Sequence, residues 1–357
     1  MINKVVNAGT DAQTGFALQR NTALYLLLNN YYSKFKNEKY FICLEHHDDF
    51  LFCFLDENSD VKSIEAYQSK KKSPDKWTLN VDMFEIISKL LKTGTQLIED
   101  KIPKNKDYKH SLHFSSNQTI FLNEQVSKKS VSIKEDNCLI AFIDLDDELK
   151  EKIKIGILDS DLHDELENLH FFWIDLNRTV LNQENELVGQ LDSVFRKSII
   201  DPRAAVNTLI SLFRKIEETY SQGNQAKLLD TTKRVSSEAI EDALKIITTK
   251  SKAFDYWRKE EENLSVILQI KPFERESFKL KFESAFDLFK SFQESEHQKI
   301  YNFVQENYIN CQTFTYQDNM IELYYDFVDK NTSTFPELDL KAIIYAAYFE
   351  ATLKQQN

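Results

Sequence analysis

Residues 42–55 read Ile42-Cys43-Leu44-Glu45-His46-His47-Asp48-Asp49-Phe50-Leu51-Phe52-Cys53-Phe54-Leu55, and after Asp56-Glu57-Asn58-Ser59-Asp60 the chain runs on to Ile64-Glu65-Ala66-Tyr67-Gln68-Ser69-Lys70. Phe50 to Leu55 is an unbroken apolar run, Lys62 to Ser69 alternates more loosely, and the polar cluster between them is rich in turn formers. The pattern predicts a β-hairpin. If it folds symmetrically about Asn58 and Ser59, Asp49 stands opposite Gln68 with both side chains on one face. Lys70, two residues on, shares that face, and Glu45 precedes the group by one short turn.

A carboxylate, an amide carbonyl and an ammonium gathered at one end of a strand pair suit a Mg²⁺ ion, or Mn²⁺ in its place. Magnesium takes hard oxygen ligands and needs only one or two carboxylates, water and a phosphate oxygen filling the other positions. Lys70 has a separate task, to orient or deprotonate an attacking water or to neutralise charge building on a phosphate. Spacing alone also fits a plain polar strand edge. Against that stands a local conflict: Glu45 and Asp49 open a Phe/Leu/Ile-rich segment, and charges are rarely buried without a partner or a metal. His46 and His47 are adjacent on a strand, so at most one can face the site. His110 and His113 have no cysteine or histidine at zinc-like spacing and read as structural or surface residues.

The chain of 357 residues can hold two domains and bury a substantial core. Glycine and proline are scarce, at 6 and 5, which disfavours a glycine-loop nucleotide fold and favours long helices. Cys43, Cys53, Cys138 and Cys311 are scattered with no C-x-x-C pair and read as buried small hydrophobes. The N-terminus lacks the apolar core of a secretory signal and no stretch approaches the length of a membrane span, so a cytoplasmic protein without a membrane partner is expected. A net charge of −12 argues against coating DNA by bulk electrostatics. The charge is uneven: residues 61–110 hold 11 basic against 7 acidic side chains, whereas 151–357 hold 25 against 35. Phosphate contact therefore belongs near the hairpin, where Lys70, Lys71 and Lys72 extend the second strand.

Outward from the hairpin, Thr10-Asp11 offers cap chemistry for a helix over 12–35, with Gln19 in its early turns. Strands are expected near 40–45, 50–55 and 62–69, a helix over 81–93, and further strands at 108–114, 119–122 and 138–144, with 123–137 as loop. The acidic patches Asp144–Glu148 and Asp159–Glu165 lack the calcium-loop pattern and read as caps or solvated surface. From about Leu187 the pattern is helical almost to the end: Asp201-Pro202 starts one helix, 237–248 and 257–268 form two more, and a long element spans 274–308. In that element Phe278, Phe282, Phe286, Phe289, Tyr301 and Val304 form an aromatic stripe, core or a seam for another helix. Helices at 321–328 and 340–353 complete a set of about seven.

Ala12-Gln13-Thr14-Gly15-Phe16-Ala17-Leu18-Gln19, then an aliphatic helix, then Leu44-Glu45 with Asp49, then Tyr67-Gln68-Ser69-Lys70 and Trp77-Thr78 together resemble the double-stranded DNA endonuclease domain of antiphage effectors, a branch of the PD-(D/E)XK nucleases. That domain occurs in CD-NTase-associated CBASS effectors and in the nuclease subunit of Lamassu systems. The likeness is clearest over residues 8–80 and extends more weakly to about 220. It implies Asp49 and Gln68 as metal ligands, Glu45 as a supporting acid that also binds metal, Lys70 as catalytic base or phosphate stabiliser, and Gln19 as a helix residue facing the site. Gln68 departs from the commoner acidic residue and removes one negative charge. The helical C-terminal half fits the mixed α/β sensor of CBASS effectors poorly and is more similar to the Lamassu subunit, which works with an SMC-like ATPase and a third protein.

The expected fold is an α/β nuclease core over 1–155, a PD-(D/E)XK-like mixed sheet flanked by helices, followed by an all-α domain over 156–357 for oligomerisation and partner binding. The expected function is a Mg²⁺-dependent endonuclease of bacterial antiphage defence. It would cut double-stranded DNA with little sequence preference, by direct attack of water, once released or assembled into a homo-oligomer. Two other readings stay open: a catalytically inactive helical scaffold subunit, and a CBASS-type nuclease gated by a cyclic oligonucleotide.

Overall fold

The computed structural model describes residues 8–44, 50–71, 76–196, 199, 201–217, 228–289, 296–311 and 315–354. The chain divides into two compact units, one of residues 1–194 and 202–240 and one of residues 195–201 and 241–357.

The hairpin forms as its sequence dictates. Strands β1 (Lys39–Leu44), β2 (Phe50–Leu55) and β3 (Val61–Ser69) make an antiparallel meander. Phe50 pairs with Tyr67, Leu51 with Ala66 and Phe52 with Glu65, the register expected from a fold about Asn58 and Ser59. The turn is pinned by Asp56, whose Oδ1 accepts from the backbone N–H of Asn58 (2.9 Å) and of Asp60 (3.0 Å). Ser59 takes a left-handed φ of 67°, and the register shifts by one residue between the Phe54–Ser63 and Leu55–Val61 pairs.

Helix α1 (Ala8–Asn29) precedes the meander and continues into a short π-helical turn, Tyr31–Phe35. After β3 come the short strand β4 (Trp77–Thr78), helix α2 (Val81–Glu99) and the long strand β5 (Lys104–Ser116), which runs parallel to β3. Asn80 caps α2 by accepting from the Met83 N–H at 3.0 Å. Strands β6 (Ile120–Asn123) and β7 (Ser130–Ile133) join β4 in a three-stranded sheet, so part of the expected 123–137 loop is a strand. Its residues Val131 and Ile133 pack on the main core, which the surrounding polar sequence conceals.

Strand β8 (Leu139–Ala141), helix α3 (Asp147–Gly156), a 3₁₀ segment (Ser160–Asn168) and strand β9 (Leu169–Trp173) follow, then helices α4 (Val180–Phe195) and α5 (Pro202–Glu217) and strand β10 (Arg234–Ser236). The main sheet has seven strands in the order β10-β1-β2-β3-β5-β9-β8, with β3, β5 and β9 mutually parallel. Neither β9 nor β10 was expected. Because β9 pairs with β5 and β10 with β1, the sheet is completed by residues well beyond 155, and the first compact unit reaches Ile240.

Both faces of the sheet are covered. Phe41, Cys43, Leu51, Cys53, Ile64, Ala66, Leu112, Phe114 and Phe171 form one core with Met83, Ile87, Leu90 and Leu91 of α2 and Leu149 and Ile153 of α3. Alternate residues point the other way. There Tyr40, Phe52 and Phe54 gather round Phe35, with ring centroids 5.0–5.6 Å from it. Helix α1 packs over β2 and β3 and against α5 on this side. Cys43 and Cys53 are buried as expected, but Cys311 is half-buried and Cys138 exposed; Cys138 directly precedes β8, the last strand in the sheet order.

The second unit is helical. Its elements are the continuation of α6 (Ser237–Ile267), α7 (Arg275–Leu288), α8 (Glu296–Asn307), α9 (Tyr316–Lys330) and α10 (Glu337–Lys354). The two helices expected within 237–268 are one, since no glycine or proline interrupts them, and the element expected over 274–308 is two. Phe278, Phe282, Phe286 and Phe289 of the aromatic stripe are core residues, packed with Trp257 and with Ile344, Tyr345, Ala346 and Ala347 of α10. Helix α10 is buried on all sides through that stretch and is the axis of the unit. Among the described residues no helix is long and apolar enough to cross a membrane.

Candidate functional site

The carboxyl ends of parallel β3, β5 and β9 lie side by side. Ser69 pairs with Ser115, and Ser116 with Trp173. In open α/β sheets this edge is where ligands bind, because the strands end there and the loops beyond them diverge. Gln68 and Lys70, two of the residues singled out in the sequence, are both at this edge.

A polar network holds the end of β3 in place. The Lys70 N–H donates to the Ser115 carbonyl at 2.9 Å, and the Ser116 hydroxyl donates to the Lys70 carbonyl at 2.8 Å. Ser116 Oγ in turn accepts from the Trp77 indole N–H (3.1 Å) and the Gln118 N–H (3.0 Å). Ser69 and Ser115 hydroxyls are 2.8 Å apart, and Ser115 also donates to the Gln68 carbonyl. Every one of these groups is satisfied within the protein, so the backbone that presents Gln68 and Lys70 is fixed before any ligand arrives. Gln68 is 6% exposed, Lys70 is half-buried and Lys71 is exposed.

Gln19 is half-buried on α1, next to Leu18, which packs on Ile174 and Leu176 just beyond β9. Glu45, Asp49 and Lys72 lie outside the described residues, as do His46 and His47. Among the described residues no group of three or more His, Cys, Asp or Glu is placed to hold a metal. The oxygen they do supply at this edge, the Gln68 amide, is a hard donor of the kind Mg²⁺ accepts beside one or two carboxylates. Gln68 is thus a donor of a type the ion accepts, while the two carboxylates read from the sequence lie outside the described residues.

No family model matches the chain, and no characterised protein or solved structure does so.

Behind the edge, on the face turned to α1, an aromatic column crosses four strands. Phe50 stacks on Tyr67 (4.9 Å), Tyr67 on His113 (4.4 Å) and His113 on His170 (4.9 Å). Burial, with the nearby His170 and Lys34, holds His113 well below the ordinary histidine value, so it is neutral. Burial and the adjacent Glu65 push the Tyr67 phenol well up. Glu65 is held in turn by Lys34 at 2.5 Å. On the opposite face His110 Nε2 is 2.7 Å from Glu165, which also accepts from Asn168 at 3.0 Å. Burial pushes the Glu165 carboxyl up, but the bonds from His110 and Asn168 and the charge of His110 outweigh it and leave it below the ordinary value. Both histidines are thus built into the packing.

Sequence reading missed the supporting residues. Ser115 and Ser116 have no part in it, Ser69 and Trp77 stand in the quoted motif without a role, and it does not find a cleft of about 410 Å³ beside β9, lined by Asn117, Trp173, Asp175, Asn177, Arg178 and Asn182 among others. One signal was available: the polar run Ser115-Ser116-Asn117-Gln118 after Leu112 and Phe114 marks the carboxyl end of a buried strand.

Proposed function

We propose that this chain is a Mg²⁺-dependent endonuclease acting on double-stranded DNA, with Asp49, Gln68 and Glu45 as metal ligands and Lys70 as the catalytic cation. The supporting observation is that Gln68 and Lys70 share the carboxyl edge of three parallel strands, in a hairpin whose register is the one an Asp49–Gln68 pairing requires. A bound divalent ion would polarise the scissile phosphate and its attacking water. Lys70 stabilises charge on the phosphate or takes the proton of that water. The Ser115–Ser116 network keeps the strand end rigid, so that neither group has to be ordered during reaction. Lys71 and Lys72 contact the DNA backbone, and Gln19 supports the site from α1.

The wider assignment rests on the sequence resemblance: an antiphage effector of Lamassu type, in which the helical half joins an SMC-like ATPase and a third subunit and the active form is a homo-oligomer. The test is cleavage of supercoiled plasmid over a range of protein concentrations with Mg²⁺, beside Lys70→Ala and an EDTA control. Cutting that rises steeply with protein concentration and vanishes in both controls is the expected result. Lys70→Ala protein that folds and still cuts as wild type would overturn the assignment of that residue. If neither the free protein nor its partner complex cuts plasmid or linear DNA, the chain is a scaffold.

A further inference from the structure

The cleft beside β9 adjoins the candidate catalytic edge. One wall, Asn117, directly follows Ser116, whose hydroxyl holds the Lys70 carbonyl, and another, Trp173, pairs with Ser116 across the sheet. Trp173 also lies on the same sheet face as Phe114 and Phe171, packed at the rim of that core. The lining combines an aromatic surface in Trp173, an exposed cation in Arg178, an exposed carboxylate in Asp175, and amides at Asn117, Asn177 and Asn182. Asn117 spends its N–H group on the carbonyls of Leu176 and Asn177, both at 3.1 Å, which leaves its Oδ1 buried without a partner. A buried acceptor in that condition is costly unless something donates to it.

An aromatic face, a cation, a carboxylate and one unpaired amide oxygen in a cleft of this size match a base with its phosphate. We propose that this cleft receives one unpaired nucleotide of the DNA strand next to the scissile phosphate. Its base stacks on Trp173, its amino group donates to Asn117 Oδ1 or Asp175, and Arg178 holds its phosphate. The proposal rests on the nuclease reading and adds a substrate subsite to it. A paired base cannot enter, so the cleft favours frayed, gapped or overhanging DNA over a closed duplex.

The experiment measures binding of the full-length protein to two fluorescent DNA duplexes in EDTA, one fully paired and one with a single-stranded overhang, over a salt series, and separately measures cleavage in Mg²⁺. Arg178→Ala, at an exposed position, should weaken overhang binding about ten-fold and reduce the salt slope by about one. Trp173→Leu, checked for wild-type melting, should weaken it by about ten-fold or more with the salt slope unchanged, since stacking carries no counterion release. The second variant is needed because a merely structural Trp173 would not separate affinity from salt dependence. Overhang binding within about two-fold of wild type in Arg178→Ala, while wild-type protein cuts DNA, would overturn the subsite and leave the nuclease standing. Wild-type protein that neither binds nor cuts DNA would overturn both.

Discussion

At the scale of single residues, Gln68 carries the clearest consequence. It is buried at a strand end, so Gln68→Glu puts a carboxylate in a place that disfavours an uncompensated charge. Without divalent metal the variant should lose about 1–3 kcal/mol of stability. Mg²⁺ should return it, since a ligand at a hundred times its dissociation constant stabilises by about 2.7 kcal/mol. Thermal melts with EDTA and with Mg²⁺ would check this, and a variant whose melting ignores Mg²⁺ would speak against a metal at Gln68. His113 gives a pH test. Its folded value lies well below the ordinary one, so the unfolded chain binds the proton first as the solution is acidified. Stability due to this group is therefore complete above about pH 6.5 and falls as the pH drops below it. Glu165, also depressed, adds a second loss below about pH 4.5. In melts from pH 8 to 4, His113→Phe should keep the stack with Tyr67 and flatten the first of the two declines.

At the scale of elements, two glycines in helices predict opposite outcomes. Gly94 on α2 faces Glu165, and a Cβ there would run into the carboxylate that His110 and Asn168 hold. Gly189 on α4 is exposed with nothing within 4 Å. Alanine is worth about 1 kcal/mol over glycine in a helix interior, so Gly189→Ala should stabilise by about that much. Gly94→Ala should instead lose about 1–3 kcal/mol, because the clash with a buried, hydrogen-bonded carboxylate exceeds the gain in propensity. Denaturant midpoints of the two variants read both signs directly. The same scale explains what the sequence disclosed. The β2–β3 hairpin was legible down to its register because an apolar run, a turn cluster and an alternating run agree. Strand β9 was not, since His170 interrupts its apolar pattern and an acidic segment precedes it; the histidine belongs there because it stacks on His113. Strand β10 is three residues long and exists through pairing with β1, a long-range contact that no local pattern records. Gln68 and Lys70 of the candidate site were named from the chain together with Glu45 and Asp49, which lie outside the described residues; the serines of β5 that hold the strand end are 46 residues away, and only the folded sheet joins them.

At the scale of the whole molecule, the two compact units have separate cores, one between the sheet and α2 and one around α10. Separate cores predict that unfolding does not follow a single two-state transition. The assignment can be made by cavity. Phe282 is fully buried between Trp257's neighbour Phe278 and Phe286, with Tyr345 at 4.9 Å, and Leu90 is fully buried under the sheet. Phe282→Ala should cost about 3–5 kcal/mol and Leu90→Ala about 2–5 kcal/mol. If the units melt independently, calorimetry of the full chain resolves two transitions, with Phe282→Ala lowering one and Leu90→Ala the other. Hydrogen exchange then locates the first loss in residues 241–357 and the second in the sheet. A single transition lowered by both variants would mean that the units unfold together. The distinction bears on the proposed regulation: a helical unit that unfolds independently can exchange partners or assemble without disturbing the strand end that carries Gln68 and Lys70, whereas a cooperatively coupled one would transmit every change of assembly to the site.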